Sequence, residues 1–362
     1  MRVLLAVAGL LSLAGSGSSG PGAQTLYRST TGPISAFAQD GQLLAWYAPG
    51  TRRCNAVHVL SLRGGVSLTL PKPGSSNVTC RWSMGREPVA LAIAARQGST
   101  LWTLHQDSSV DLDYVVGADV RVQKERRFYQ LGHTRAGAGL WFGALAGDGA
   151  TLVYSRVVVA YRNQAACLSG GSCARRIAGG SVRRIVGRRD VAVPRTGPAL
   201  QIAASDGRIA YVRATSVTTG GRPVANATRP LEIRVAANGK LVSRPRPDGV
   251  PVAIALAPHV LAVLARSHGR LHLSWYDVAS GRRLGRARVP RKTSATLGAS
   301  DRVVVFHAGR TIEAFDLGSR RAHALTVAAS APIGLSLEGT RVAWAENLRG
   351  KGRIRALSLK PR

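Results

Sequence analysis

The stretch PISAFAQDGQLLAW, Pro33 to Trp46, decides the reading of this chain. An apolar run leads into Asp40-Gly41, and a second apolar run ends on an aromatic residue. Asp-Gly between two apolar runs is the strongest short-range hairpin signal, because both central residues of a type I′ turn need positive φ. The phrase returns as LWFGALAGDGATLVY (140–154), PALQIAASDGRIAY (198–211) and PIGLSLEGTRVAW (332–344). Looser copies are VALAIAARQGSTLW (89–102), VAIALAPHVLAVLA (252–265) and TLGASDRVVVF (296–306).

Working outward, a second hairpin with another turn follows each phrase. Examples are HVLSLRGGVSLTL (58–70), LEIRVAANGKLVS (231–243), SWYDVASGRRLGRARV (274–289) and IEAFDLGSRRAHALTV (312–327). Each unit therefore reads strand a, tight turn, strand b, loop, strand c, tight turn, strand d. Seven units begin near residues 33, 88, 139, 198, 250, 294 and 331. Their spacing of roughly 37 to 59 residues is that of propeller blades. No stretch combines helical periodicity with caps. The expected fold is all-β, a single β-propeller of about seven four-stranded blades over residues 24–362. The last unit ends after its third strand, RIRALSLK (353–360), while Gln24 to Thr31 stands alone before the first unit. Pairing the two would supply the missing strand and close the ring, removing exposed strand edges.

These repeats, with Asp40-Gly41, Asp148-Gly149, Asp206-Gly207 and Glu338-Gly339 at their turns, resemble the TolB-like and WD40-like propeller repeats of exported bacterial proteins. The resemblance covers nearly all of the chain after its first 23 residues. It implies a scaffold whose relatives mostly bind other proteins or glycans, with enzymes a minority.

The N-terminus reads as a targeting segment. Arg2 is a short positive region, Val3 to Leu13 is an apolar stretch too short to span a bilayer, and small residues follow from Ala14 to Ala23. Residues 1–23 are thus read as a signal peptide, cleaved after Ser16 or Ala23, and the protein as extracytoplasmic: secreted, periplasmic or wall-associated. Four cysteines fall in two local pairs, Cys54 with Cys80 and Cys167 with Cys173. Neither pair has zinc-ligand spacing, and disulfides suit an oxidising compartment. The formal charge of +32 comes from 50 basic residues, only six of them lysine, against 18 acids. Such a surface adheres to anionic polymers.

In an antiparallel blade the b–c loops and the d-to-a connections leave one face of the disc, and the a–b and c–d turns leave the other. The long insertions, Tyr161 to Arg176 and Thr215 to Pro230, are b–c loops, and long loops on a rigid scaffold are where binding sits. Both cysteine pairs belong to that face, as do Arg52, Arg53, Arg81, Arg86, Arg175, Arg176, Arg183 and Arg184, the candidate residues for an anion or partner. Arginine matches phosphate and carboxylate in bidentate fashion.

Little else carries chemistry. His268 and His272, four apart on a strand, would stand about 13 Å from each other, too far to share a metal. Asp107, Asp111 and Asp113 lack the glycine and terminal glutamate of a calcium loop. No nucleophile elbow, phosphate loop or zinc-protease motif occurs. The a strands read ISAFA, VALAIA, LWFGALA, LQIAA, VAIALA and IGLSL, apolar and nearly uncharged, which disfavours a catalytic channel unless loops supply its acids. The expected function is a non-catalytic binding or scaffold propeller, without cofactor, contacting a protein or an anionic envelope polymer through the b–c face. It is read as a monomer with no specific nucleic-acid partner and no transmembrane segment. The alternative is a propeller enzyme, a lyase or hydrolase acting on a glycan or peptide at the channel mouth.

Overall fold

The computed structural model describes residues 22–28, 32–49, 55–70, 90–106, 110–134, 137–169, 173–186, 189–226 and 231–359. The signal-peptide reading therefore lies, apart from Gly22 and Ala23, outside the described residues. Among them, no helix is long and apolar enough to cross a membrane.

Among the described residues the regular structure is strand, apart from one short helix. β1 (Gln24–Arg28) precedes a four-stranded sheet of β2 (Ala36–Asp40), β3 (Leu43–Pro49), β4 (Asn55–Ser61) and β5 (Ser67–Leu70). Next come β6 (Leu91–Ala94), β7 (Ser99–Gln106), β8 (Val110–Asp119), β9 (Lys124–Thr134), β10 (Gly139–Asp148), β11 (Thr151–Tyr161), the short helix α1 (Gln164–Leu168), β12 (Arg175–Val186) and β13 (Arg189–Ala192). The fourth repeat holds β14 (Ala199–Ser205), β15 (Arg208–Arg213), a small hairpin of β16 (Ser216–Val217) and β17 (Pro223–Val224), then β18 (Ile233–Ala237) and β19 (Lys240–Ser243). Two more sheets follow in order: β20 (Val250–Leu256), β21 (Val260–Ser267), β22 (Arg270–Asp277), β23 (Arg283–Arg288), and β24 (Gly298–Ala299), β25 (Val303–Ala308), β26 (Thr311–Asp316), β27 (Arg321–Val327). The last sheet runs β1-β30-β29-β28, from β28 (Ile333–Glu338), β29 (Arg341–Leu348) and β30 (Lys351–Ser358).

The N-terminal strand thus completes the final sheet, antiparallel to β30, with Gln24 opposite Ala356 and Arg28 opposite Arg353. Arg355 Nη2 donates to Ala23 O at 2.5 Å, and the Tyr27 ring lies 4.3 Å from that of Trp46 in the first blade.

The expected number of separate blades is corrected. Five four-stranded sheets stand as blades, not seven, because β6 to β13 form one continuous eight-stranded sheet. The second and third repeats merge where β10 pairs with β9, Gly139 opposite His133. Gly139 has φ +134°, and a Cβ there would sit 2.4 Å from Gly132 O, so only glycine permits this backbone approach. The seven first strands, β2, β6, β10, β14, β20, β24 and β28, nonetheless line a common axial channel.

The b strands are covered on both faces, which explains their unbroken apolar runs. Leu44 to Ala48 are all buried. Trp46 packs with Ala343, Ala345 and Ile354 of the closing blade, while Ala45 and Tyr47 face Ile93 and Trp102 of the large sheet. Trp102, Tyr154, Tyr211 and Trp344, at equivalent repeat positions, are likewise buried between sheets.

Candidate functional site

The described part of the predicted arginine face is a groove between the two long b–c loops. Asn163 caps α1, its Oδ1 accepting from Ala166 N at 3.0 Å, and the Cys167–Cys173 disulfide ties the helix to the start of β12. Leu168, at the tip of this knob, is 80% exposed. The facing loop folds into the β16–β17 hairpin, and Arg175 Nη1 joins the two by donating to Thr219 O at 2.5 Å. Between them lies a cavity of about 790 Å³ lined by Arg162, Arg175, Arg176 and Arg213, with no carboxylate in its wall among the described residues. Glu232 stands behind it and is shared by Arg213 (3.6 Å), Arg234 (2.9 Å) and Arg244 (3.4 Å).

Arg175 and Arg176 are therefore brought together in one groove. Arg183 and Arg184 are not. Strand β12 is 12 residues long, so they lie eight positions further on, roughly 26 Å away at ~3.3 Å per residue. There Arg183 Nε pairs with Asp190 at 3.0 Å and Arg184 Nη2 donates to Thr151 Oγ1 at 3.3 Å. Arg52, Arg53, Arg81 and Arg86, with the Cys54–Cys80 pair, lie outside the described residues.

The opposite mouth of the channel departs from expectation. A cavity of about 660 Å³ opens there, and its rim carries Asp40, Asp148, Asp206, Asp301 and Glu338. One carboxylate oxygen each from Asp40, Asp148 and Glu338 lie within 4.8 Å of one another. Each also joins neighbouring turns of the ring. Asp40 Oδ2 accepts from Ala95 N at 2.5 Å and Gly149 N at 2.7 Å, Asp148 Oδ2 accepts from Asp206 N at 2.7 Å, and Glu338 accepts from the Gly41 backbone. Asp301 Oδ1 takes the His259 N–H at 2.7 Å. Burial raises the pKa of Asp148, opposed by the Asp206 N–H and reinforced by the Asp40 charge. Burial, then the charges of Asp40 and Asp148, raise that of Glu338. Arg96 and Arg341 stand close enough to oppose these shifts. Asp148 and Glu338 thus keep their protons above the ordinary carboxylate range, and the three oxygens are spaced to meet a hard cation.

No protein-family model and no curated protein matches the sequence. Solved structures do match in three dimensions. The β-propeller domain of Cps50 (Swd1) from Myceliophteria thermophila aligns with TM-score 0.55 and 11% identity over 92% of this chain and 99% of that one. The β-propeller domain of the Trilobed protease from Pyrococcus furiosus aligns with TM-score 0.52 and 8% identity over 91% and 96%. Acylaminoacyl peptidase of Pyrococcus horikoshii gives 0.54 and 8% over 92% of this chain but 53% of that one. The chain folds as a β-propeller. The Trilobed propeller has an open velcro topology. In this propeller β1 pairs with β30 and closes the ring.

The channel acids of the propeller escaped the sequence reading through a shift of one residue. Only Asp206-Gly207 forms the expected turn with two positive φ values, +48° and +73°. In the other three copies the acid is the last strand residue, paired across the hairpin as Asp40↔Leu43, Asp148↔Thr151 and Glu338↔Arg341. Glycine alone then takes positive φ, the pattern of a II′ turn. A strand residue points to a defined face, and here that face is the channel. The recurrence of an acid just before glycine, at one phase of the repeat, was the available signal.

Proposed function

We propose that this protein is an exported, non-catalytic binding propeller that engages an anionic partner, an envelope polymer or an acidic protein surface, through its b–c loop face. The observation that carries the reading is the groove of Arg162, Arg175, Arg176 and Arg213 between the two long b–c loops. The disulfide-tied knob preorders one wall and so lowers the entropic cost of binding. Export is supported by the N-terminal Arg2, apolar and small-residue layout and by the disulfide.

The test is a salt series of binding to anionic polymers and to envelope extracts, with wild type and R175Q/R176Q. The double variant should bind more weakly and reduce the slope of log affinity against log salt by about one for each phosphate that it no longer neutralises. Equal binding by wild type and variant would remove the groove from the reading, and an acidic protein recovered in place of polymer would select that partner class.

The carboxylate group at the other mouth favours a second reading, a lyase or hydrolase acting on a glycan or peptide. Two carboxyls with raised pKa, Asp148 and Glu338, face one cavity, as general acid–base chemistry requires. Turnover of glycan or peptide substrates by wild type, lost in D148N and E338Q but kept in R175Q/R176Q, would establish it.

A further inference from the structure

A second basic site, separate from the groove, is built on the outer strands of the β20–β23 blade. The β21–β22 turn is His268-Gly269, with φ +48° and +71°, a tight type I′ turn that fixes the register of the hairpin. In that register His272 lies opposite Arg288 and Ser274 opposite Arg286. Because side chains alternate along a strand, Arg270 and His272 share one sheet face with Arg286 and Arg288. The other face of the same strands is core, with Leu271, Leu273 and Trp275 buried. The cationic side chains border a cavity of about 590 Å³, with Ser267 and His268 on its rim.

Like charges placed across neighbouring strands destabilise a sheet. This cluster carries almost no internal compensation. The one acid at hand is Asp248, on the connection from β19 to β20, and it is engaged by Arg283 and, at 3.5 Å, by Arg286. Among the described residues no carboxylate pairs with Arg270 or Arg288. The cations also exclude a metal: a divalent ion between His268 and His272 would face three guanidinium groups.

We infer that this pocket binds a tetrahedral oxyanion, a phosphate or sulfate ester group carried on a larger molecule. Such a group presents three acceptor oxygens to separately placed donors, and a phosphate monoester carries nearly two charges against three guanidiniums. The cavity is larger than one oxyanion and leaves room for the remainder of its carrier. His272 reports the event. Burial lowers its pKa, and Arg286, Arg288 and Arg270 lower it further against the pull of Asp248. His268 is the other ionisable group at the rim. An anion among these groups stabilises the imidazolium, so binding and His272 protonation strengthen each other.

The experiment follows His272 by NMR in the disulfide-intact protein while inorganic phosphate, sulfate or acetate is added at constant ionic strength, with chloride as the balance. Phosphate should raise the His272 pKa saturably, and tenfold less effectively in R270Q/R288Q. Sulfate acting equally assigns the pocket to tetrahedral oxyanions in general, and phosphate alone to phosphate esters. R288Q by itself covers the case in which the double variant fails to fold, and should weaken phosphate in the same direction. R175Q/R176Q should leave the response unchanged, which separates this pocket from the groove. A His272 titration that is identical in phosphate, acetate and chloride would overturn the inference.

Discussion

Asp40 Oδ2 accepts the backbone N–H of Gly149 at 2.7 Å, a buried bond between residues 109 positions apart. The same oxygen holds Ala95 N, so one carboxylate joins the first blade to the turns that follow β6 and β10 of the large sheet. D40A leaves two donors without their acceptor and should cost about 2 kcal/mol of stability. D40N, whose amide oxygen can still accept, should cost clearly less. Urea unfolding of the two variants, read at equal m-values, checks the order.

Glu338 and Asp148 give a pH dependence of defined sign. Their folded pKa values are raised, first by burial, so over the window above the ordinary carboxylate range the folded state binds more protons than the unfolded state. Stability contributed by these two groups therefore falls as pH rises through that window. E338Q removes one charge while keeping an oxygen for the Gly41 N–H. It should stabilise the protein at pH 7 more than at pH 4, as measured by thermal melts across pH, and should lower the Asp148 pKa.

The opposite sign holds at Asp190. It accepts from Tyr154 Oη at 2.7 Å, Arg183 Nε at 3.0 Å and Arg156 Nη2 at 3.2 Å. Burial acts to raise its pKa, but these hydrogen bonds and charges bring it below the ordinary value. Its contribution is present above the unfolded-state pKa and is lost as pH falls through the folded one. D190N should lower stability at pH 7 by about 2 kcal/mol and flatten the acid limb of the stability curve.

Much of this was legible in the sequence, and the failures have physical causes. The hairpin phrases placed the a and b strands, because an apolar run broken by glycine has few other solutions. The closing strand was expected within Gln24 to Thr31 because RIRALSLK had no partner, and Gln24 to Arg28 supply it. The merger of two repeats through Gly139 and His133 was invisible, since it depends on one backbone approach rather than on a pattern. The arginines of β12 were assigned to one site although an extended chain separates Arg175 from Arg183. The channel acids were missed because turn type, not composition, decides whether an aspartate ends a strand or occupies the turn.

The Cys167–Cys173 bridge joins the last turn of α1 to a residue six positions further on. By loop entropy it is worth about 2 kcal/mol, all of it local to the knob. C167S/C173S should leave the global melting temperature nearly unchanged while amide exchange rises in residues 162–176. In the proposed binding function its polymer affinity should drop through the cost of ordering that loop.

Removing residues 24–28 strips β30 of its partner and uncovers Trp46, against which Tyr27 packs. The shortened chain should melt earlier and self-associate through the bare β30 edge. Size-exclusion chromatography with light scattering would detect the dimer or larger species.

The pairing of β1 with β30 also determines how the ring would yield to force. Gln24, at the leading end of β1, lies opposite Ala356, near the trailing end of β30, so both chain ends leave the ladder on the same side. Tension applied between them would load the rungs one at a time, beginning at Gln24 and Ala356, rather than sharing the load along the strand. The closure that secures the propeller against heat and denaturant is thus its weak seam under traction, a zipper with both tabs at one end.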